Sequence, residues 1–244
     1  MGRGADVKDT MARPRPDEAI SGVTEATAPP KERASLSPDL VTLSAPLSAG
    51  AEAIRALRTH ILAQHIQAGR RALAICAPSA GVGCTFVAAN LAVALAQVGL
   101  KTLLVDADLR TPALDRFITP AVMPSGLTAC LASPGSRVGD FIDDDALPNL
   151  SVFYAGAAAA NAQELLAREW FEEVMHHCLR EYEITIIDTP PANTSADVRR
   201  ISNVVGYSLV VARRNESLVA DVKTLVEQLA DDHVMVIGTL MNAD

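Results

Sequence analysis

Aromatic side chains are scarce in this sequence: Phe, Trp and Tyr make up 4% of its 244 residues, against 49% for apolar residues as a whole. Packing by Ala, Val, Leu and Ile suits buried parallel strands between helices better than an aromatic-rich β-sandwich. Positive charge is in short supply too. A formal net charge of −8 disfavours nonspecific nucleic-acid binding, which needs a basic surface to displace counterions, so no nucleic-acid partner is expected. The four cysteines, Cys76, Cys84, Cys130 and Cys178, lack metal-ligand spacing and suggest neither a zinc site nor a disulfide framework, which fits a reducing cytoplasm. Long apolar runs are absent. The nearest candidate, Phe86 to Leu100, is interrupted by Asn90 and Gln97 and falls short of the roughly 20 residues that span a bilayer. Arg3, Lys8, Arg13 and Arg15 near the start are not followed by the apolar stretch of a secretory signal. A soluble, cytoplasmic chain is expected.

Residues 1–46 hold six of the fourteen prolines amid Ala, Ser, Thr and charged residues, with no sustained periodicity, and read as a disordered N-terminal tail. From residue 47 to 244 the pattern is that of one domain. Ile54, Leu57, Ile61, Leu62 and Ile66 recur at helical spacing and predict a helix ending near Gly69. Short β-branched or Leu-rich runs then alternate with helical stretches. Strands are expected at Arg71–Ala77, Thr102–Asp106, Leu150–Tyr154, Ile184–Asp188, Ser208–Ala212 and Val234–Thr239, and helices at Thr85–Val98, Leu127–Ala132, Ala162–Glu181, Ala196–Asn203 and Leu218–Asp231. Strands separated by helices imply an α/β fold with a doubly wound, mostly parallel sheet.

The first expected strand runs into Pro78-Ser79-Ala80-Gly81-Val82-Gly83-Cys84-Thr85, and a helix follows at once. Glycines in such a turn let consecutive backbone N–H groups point inward, and the helix N-terminus adds a dipole that favours phosphate. Gly81, Val82 and Gly83 fit the cradle, and Thr85 stands where a phosphate-loop hydroxyl ligates Mg²⁺. Cys84 occupies the place of the lysine that normally reaches the terminal phosphates. Two glycines alone would equally make a tight strand-to-helix turn. However, Asp106-Ala107-Asp108-Leu109-Arg110 and Asp188-Thr189-Pro190-Pro191 also end expected strands, and open α/β sheets bind ligands at those ends. Acidic residues there can hold Mg²⁺ or orient an attacking hydroxyl, although each could be a simple turn former.

The Gly81-Val82-Gly83 loop, Asp106-x-Asp108-x-Arg110 and Asp188-Thr189-Pro190-Pro191 resemble the Walker A, A′ and B motifs of the BY-kinases, bacterial tyrosine kinases of capsule and exopolysaccharide systems. Glu52-x-x-Arg55-x-x-Arg58 is similar to the helix motif through which that family assembles into rings, and Asn161–Leu166 is similar to a family segment preceding Walker B. The resemblance covers about Leu40 to Asp244. It implies a P-loop NTPase of the deviant Walker, ParA/MinD-like branch that takes ATP and Mg²⁺. Asp106, Asp108 and Asp188 would be catalytic, with Thr85, Asp106 and Asp188 on the metal. Gly81 to Thr85 and Arg110 would hold the nucleotide, and Glu52, Arg55 and Arg58 would mediate homo-oligomerisation. It also implies work with a separate transmembrane polysaccharide co-polymerase that could recruit the chain to the inner membrane face.

Two departures bear on activity. Losing one preorganised charge at Cys84 typically costs roughly 3–4 kcal/mol, or about 10²–10³ in rate, unless Arg110, Lys101 or a neighbouring subunit's arginine substitutes. A thiol at a helix N-terminus also has a second reading, as a low-pKa switch. The sequence given stops at Met241-Asn242-Ala243-Asp244 without the family's tyrosine cluster, so tail autophosphorylation is not expected; Tyr154, Tyr182 and Tyr207 read as packing residues. Three functions follow in order: a tyrosine-kinase-like ATPase regulating exopolysaccharide biosynthesis and export; a catalytically weak, nucleotide-dependent assembly module; and a ParA/MinD-type positioning ATPase. The last would be expected to carry lysines at positions 79 and 84, which here are Ser79 and Cys84.

Overall fold

The computed structural model describes residues 34–243, of Asp145 the backbone only. In chain order the elements are β1 (Ser35–Leu36), α1 (Val41–Ser44), α2 (Ala49–Ile61) with a π-helical extension at Leu62–Ile66, β2 (Ala72–Cys76), α3 (Cys84–Ala96), β3 (Thr102–Asp106), β4 (Ile118–Thr119), α4 (Gly126–Ala132), β5 (Asp143–Leu147), β6 (Leu150–Phe153), α5 (Ala162–Ala167), α6 (Glu169–Glu181), β7 (Ile184–Asp188), α7 (Asp197–Val205), β8 (Tyr207–Arg213), α8 (Val219–Asp231) and β9 (Met235–Asn242).

Seven strands form one sheet in the order β5-β6-β3-β7-β2-β8-β9, all parallel except the antiparallel edge pair β5 and β6. The expected α/β architecture is present, and each of the six expected strands is found. Side-chain alternation divides the sheet between two cores. Leu73, Ile75, Leu104, Ile184 and Ile186 join α2 and α3 on one face, while Ala72, Ala74, Cys76, Leu103, Val105 and Ile187 join α4 to α8 on the other. Both faces are therefore apolar, which is why the central strands read as continuous hydrophobic runs. No helix among the described residues is long and apolar enough to cross a membrane.

Three details differ from the sequence-based expectation. Residues 34–46, assigned to the tail by their composition, are structured. β1 pairs with β4, Leu40 is fully buried, and Asn90 Nδ2 donates to the Asp39 carbonyl at 3.0 Å. The remainder of the expected tail, residues 1–33, lies outside the described residues. The helix expected over Ala162–Glu181 is two helices, broken where Arg168 takes an extended ψ of 151°. β5 was not foreseen, because Asp143 and Asp144 look like loop residues; an edge strand tolerates such charge.

The tyrosines are packing residues as expected. Tyr154 donates to the Ile118 carbonyl at 2.7 Å, Tyr182 donates to Asp144 at 3.2 Å, and Tyr207 lies between His65 and the guanidinium of Arg70.

Candidate phosphate-binding site

The site is built on the C-terminal ends of β2, β3, β7 and β8. β2 stops at Cys76, and the turn that follows feeds α3, whose N-cap, Gly83, has φ 93° and ψ 27°. Gly81 is also left-handed, at φ 81°; the turn needs two residues without a Cβ penalty, which is what glycine supplies. Gly83 has a second reason, since a Cβ there would collide with the side-chain amide of Asn242. No side chain caps the first turn of α3, so its leading amides are left facing the turn, as a phosphate cradle requires.

Neighbouring strand ends hold this turn in place. Asn242 Nδ2 donates to the Val82 carbonyl at 3.1 Å, and Arg213 Nη1 donates to the Gly81 carbonyl at 3.0 Å. The chain leaving β7 runs alongside, with Ala192 N donating to Ala77 O and Asn193 N to Pro78 O. Arg213 and Asn242 were not singled out from the sequence. Arg213 lies one residue past the expected strand Ser208–Ala212, where the rule that ligands bind at strand ends could have found it, whereas Asn242 lies three residues past Val234–Thr239 and is placed only by the longer β9.

Asp106 and Asp188 are register partners on β3 and β7, both buried. Their environments differ. Asp106 accepts from the amides of Asp108, Ala113 and Leu114, so both its oxygens are engaged in shaping the loop after β3. Asp188 interacts with the Thr85 hydroxyl, the Cys84 thiol and the Thr189 amide, yet its Oδ1 is buried without a hydrogen-bond partner among the described residues. Burial first, and then the charge of Asp188, push the Asp106 pKa up; burial, helped by the charge of Asp108, does the same to Asp188. The pair therefore favours holding a proton or a cation.

Asp108 is placed beside them but acts on the turn: one oxygen accepts from the Arg110 and Thr111 amides and the other from the Thr111 hydroxyl. Arg110 turns to α7, where its Nε donates to the buried Asp197 at 2.7 Å. Lys101 precedes β3 at the opposite end of the sheet, with its ammonium over the Tyr182 ring. Neither stands in for the missing lysine. Cys84 donates its thiol hydrogen to the Ile75 carbonyl at 3.0 Å. Burial, reinforced by the charge of Asp188, raises its pKa well above the ordinary thiol range. This overturns the low-pKa switch: dipole stabilisation of a thiolate loses to desolvation and a facing carboxylate.

Glu52, Arg55 and Arg58 lie together on α2, apart from the strand ends. Arg55 bonds Glu52 at 3.1 Å and the Pro46 carbonyl at 2.5 Å, while Arg58 Nε is buried without a partner among the described residues. The Asn161–Leu166 segment reaches the site's periphery, since Ala159 just before it donates to Leu109 O.

Whether the residues fit Mg²⁺ can be judged on Asp188. A buried carboxylate oxygen with no donor, next to a threonine hydroxyl at a helix N-terminus, is a hard-oxygen donor set of the kind Mg²⁺ takes alongside phosphate oxygens. Among the described residues no cluster of three His, Cys, Asp or Glu could hold a metal alone.

The chain is similar to known proteins. Residues 70–214 match the AAA domain family. The tyrosine-protein kinase YwqD of Bacillus subtilis is 30% identical over 206 residues, covering 84% of this chain and 85% of YwqD. The tyrosine-protein kinase ptk of Acinetobacter johnsonii is 31% identical over 191 residues, 78% of this chain but 26% of that protein. The chain likewise spans 25% and 28% of its matches in Ralstonia solanacearum and Salmonella typhi. Among solved structures, the kinase domain of the Escherichia coli tyrosine kinase ETK has a TM-score of 0.79 at 28% identity, covering 89% of this chain and 84% of that one.

Proposed function

We propose, starting from a chain that belongs to the AAA domain family and to the tyrosine-protein kinase family of bacteria, that it is an ATP-binding, Mg²⁺-dependent phosphoryl-transfer domain regulating exopolysaccharide biosynthesis or export. The observation that carries this reading is the orphaned Asp188 Oδ1 at a strand end, facing Thr85 at the head of α3. Thr85 and Asp188 would hold Mg²⁺, which when bound neutralises charge on the transferring phosphoryl group. The residues' own share is defined by their geometry. The Gly81–Gly83 turn orients phosphate through backbone amides. Asp106 fixes the loop after β3 through three backbone amides, and Asp106, Asp108 and Asp188 together would orient the acceptor hydroxyl. Glu52, Arg55 and Arg58 would join copies into a ring, and a separate membrane co-polymerase would complete or activate the site at the inner membrane face.

A second reading, the nucleotide-dependent assembly module, is favoured by one observation: Cys84 is neutral and points its hydrogen at the Ile75 carbonyl, so the loop has lost its built-in charge. Measuring ATP turnover and phosphotyrosine formation on an added acceptor, with and without a candidate membrane partner, separates the two. Phosphotyrosine above background supports the kinase reading. Mg-ATP-dependent assembly without transfer supports the module.

A further inference from the structure

A loop that binds polyphosphate without its lysine has an uncompensated electrostatic deficit, and the structure narrows what could fill it. Of the basic side chains near the sequence motifs, Arg110 is held by Asp197 and Lys101 lies at the far end of the sheet. Arg214 is exposed, and its side chain makes no hydrogen bond or ion pair among the described residues. Arg213 alone of these touches the phosphate loop, through Nη1 on the Gly81 carbonyl at 3.0 Å. Among the described residues its only ion pair is with Glu216, at 3.5 Å, and the two side chains are 35% and 54% exposed, a weak pairing that leaves the guanidinium free to reorient. An arginine has five N–H donors in a fixed fork. One on Gly81 leaves others for an anion, and arginine–phosphate bonds are among the stronger charge-assisted ones.

Resting on the nucleotide-binding reading above, we propose that Arg213 is the cation of this phosphate loop: it positions Gly81 through its carbonyl and supplies to the bound phosphates the positive charge that Cys84 does not. Charge entry from the end of β8, instead of from the first turn of α3, makes the two positions interchangeable in effect. A charge restored at 84 should make Arg213 dispensable.

The test is Mg-ATP binding by titration calorimetry on the full chain, with wild type, Arg213→Gln, Arg213→Lys, Cys84→Lys and the Arg213→Gln/Cys84→Lys double variant, each checked for an unchanged melting temperature. Arg213→Gln keeps a donor for the Gly81 carbonyl but loses the charge. It should weaken ATP binding at least about tenfold, the loss of one charge-assisted contact, while Arg213→Lys retains most of the affinity. The double variant should recover to within about threefold of wild type. The proposal is overturned if Arg213→Gln binds as wild type does, or if Cys84→Lys tightens binding by the same factor in both backgrounds, since a purely mechanical brace would give those results. Absence of any wild-type binding heat would instead overturn the nucleotide-binding reading beneath it.

Discussion

Asp106 and Asp188 sit side by side at the ends of β3 and β7, and among the described residues Asp188 Oδ1 is buried with no hydrogen-bond partner while both Asp106 oxygens accept from backbone amides. Two buried carboxyls in register cannot both ionise without cost, so the folded chain retains protons that the unfolded chain would release.

That relationship sets a sign for pH dependence. The pKa values are raised from 3.8 to about 8 for Asp106 and about 7 for Asp188. Between these limits the native state binds more protons than the unfolded state, so the pair's contribution to stability is greatest at low pH and falls as pH rises through the folded values. Asp188→Asn removes one charge and places an amide where the orphan oxygen stood. Urea midpoints of the metal-free protein from pH 5 to 8 should decline less steeply in the variant than in wild type; equal slopes would show that the pair does not titrate in this range.

The same oxygen predicts the metal response. Mg²⁺ with ATP should raise the wild-type melting temperature, and chelation with EDTA should remove most of that gain. In Asp188→Asn and Thr85→Val the Mg²⁺-dependent part should shrink to near zero while ATP alone still gives a small shift. A full Mg²⁺ effect in both variants would take Asp188 and Thr85 out of the metal site.

Cys84 should be a poor nucleophile. With its pKa raised by burial and by the carboxylate of Asp188, its thiolate population at pH 7.5 is small, and alkylation by iodoacetamide should run at least about tenfold slower than for a free thiol. Mass-spectrometric mapping of labelled cysteines over time reads this directly. Rapid labelling of Cys84 in the folded protein would contradict its placement.

Much of this was legible in the sequence where one physical cause dominated. β2, β3 and β7 are buried on both faces and leave uninterrupted apolar runs, and Gly81 and Gly83 mark a turn that only glycine makes without strain. Other features depend on distant partners. The division of labour among three aspartates follows from where the amides of Ala113, Leu114 and Thr111 fall once the loop is closed. The break at Arg168 has no glycine or proline to announce it; Leu165, Leu166 and Phe171 all enter the same core from two helix directions. Composition placed residues 34–46 in a tail because it cannot register one buried leucine, Leu40, or the bond from Asn90 to Asp39.

Assembly is predicted to run through α2. Glu52, Arg55 and Arg58 lie together on that helix with the Glu52 side chain 73% exposed, and a second copy could pair with this charged face. Arg58→Glu should shift sedimentation-velocity distributions towards monomer in the presence of Mg-ATP without lowering the melting temperature by more than a few degrees, as expected for a substitution outside the apolar core. Unchanged sedimentation in a chain that does assemble would assign the interface elsewhere.

The final prediction separates a handicapped catalyst from a binding module at the position where the loop departs from the general phosphate-loop pattern. Cys84→Lys places a cation at the head of α3, next to Thr85 and Asp188. If the remaining geometry is competent, that charge meets the transferring phosphoryl group mainly in the transition state, and single-turnover ATP hydrolysis at saturating Mg-ATP should accelerate by up to about 10²-fold. If the geometry is not competent, the lysine binds ground state and transition state alike, and affinity rises with no change in the bound-state rate constant. The structure favours acceleration, because the groups such a charge must work with are already in place: Asp188 keeps a free oxygen, Asp106 is locked in register beside it, and the loop is braced by Arg213 and Asn242. Arg213 tempers the size of the effect, since a loop that already has a cation gains less from a second. The gain should therefore be larger in the Arg213→Gln background than in wild type, and tighter binding with an unchanged rate constant in both backgrounds would sink the catalytic reading.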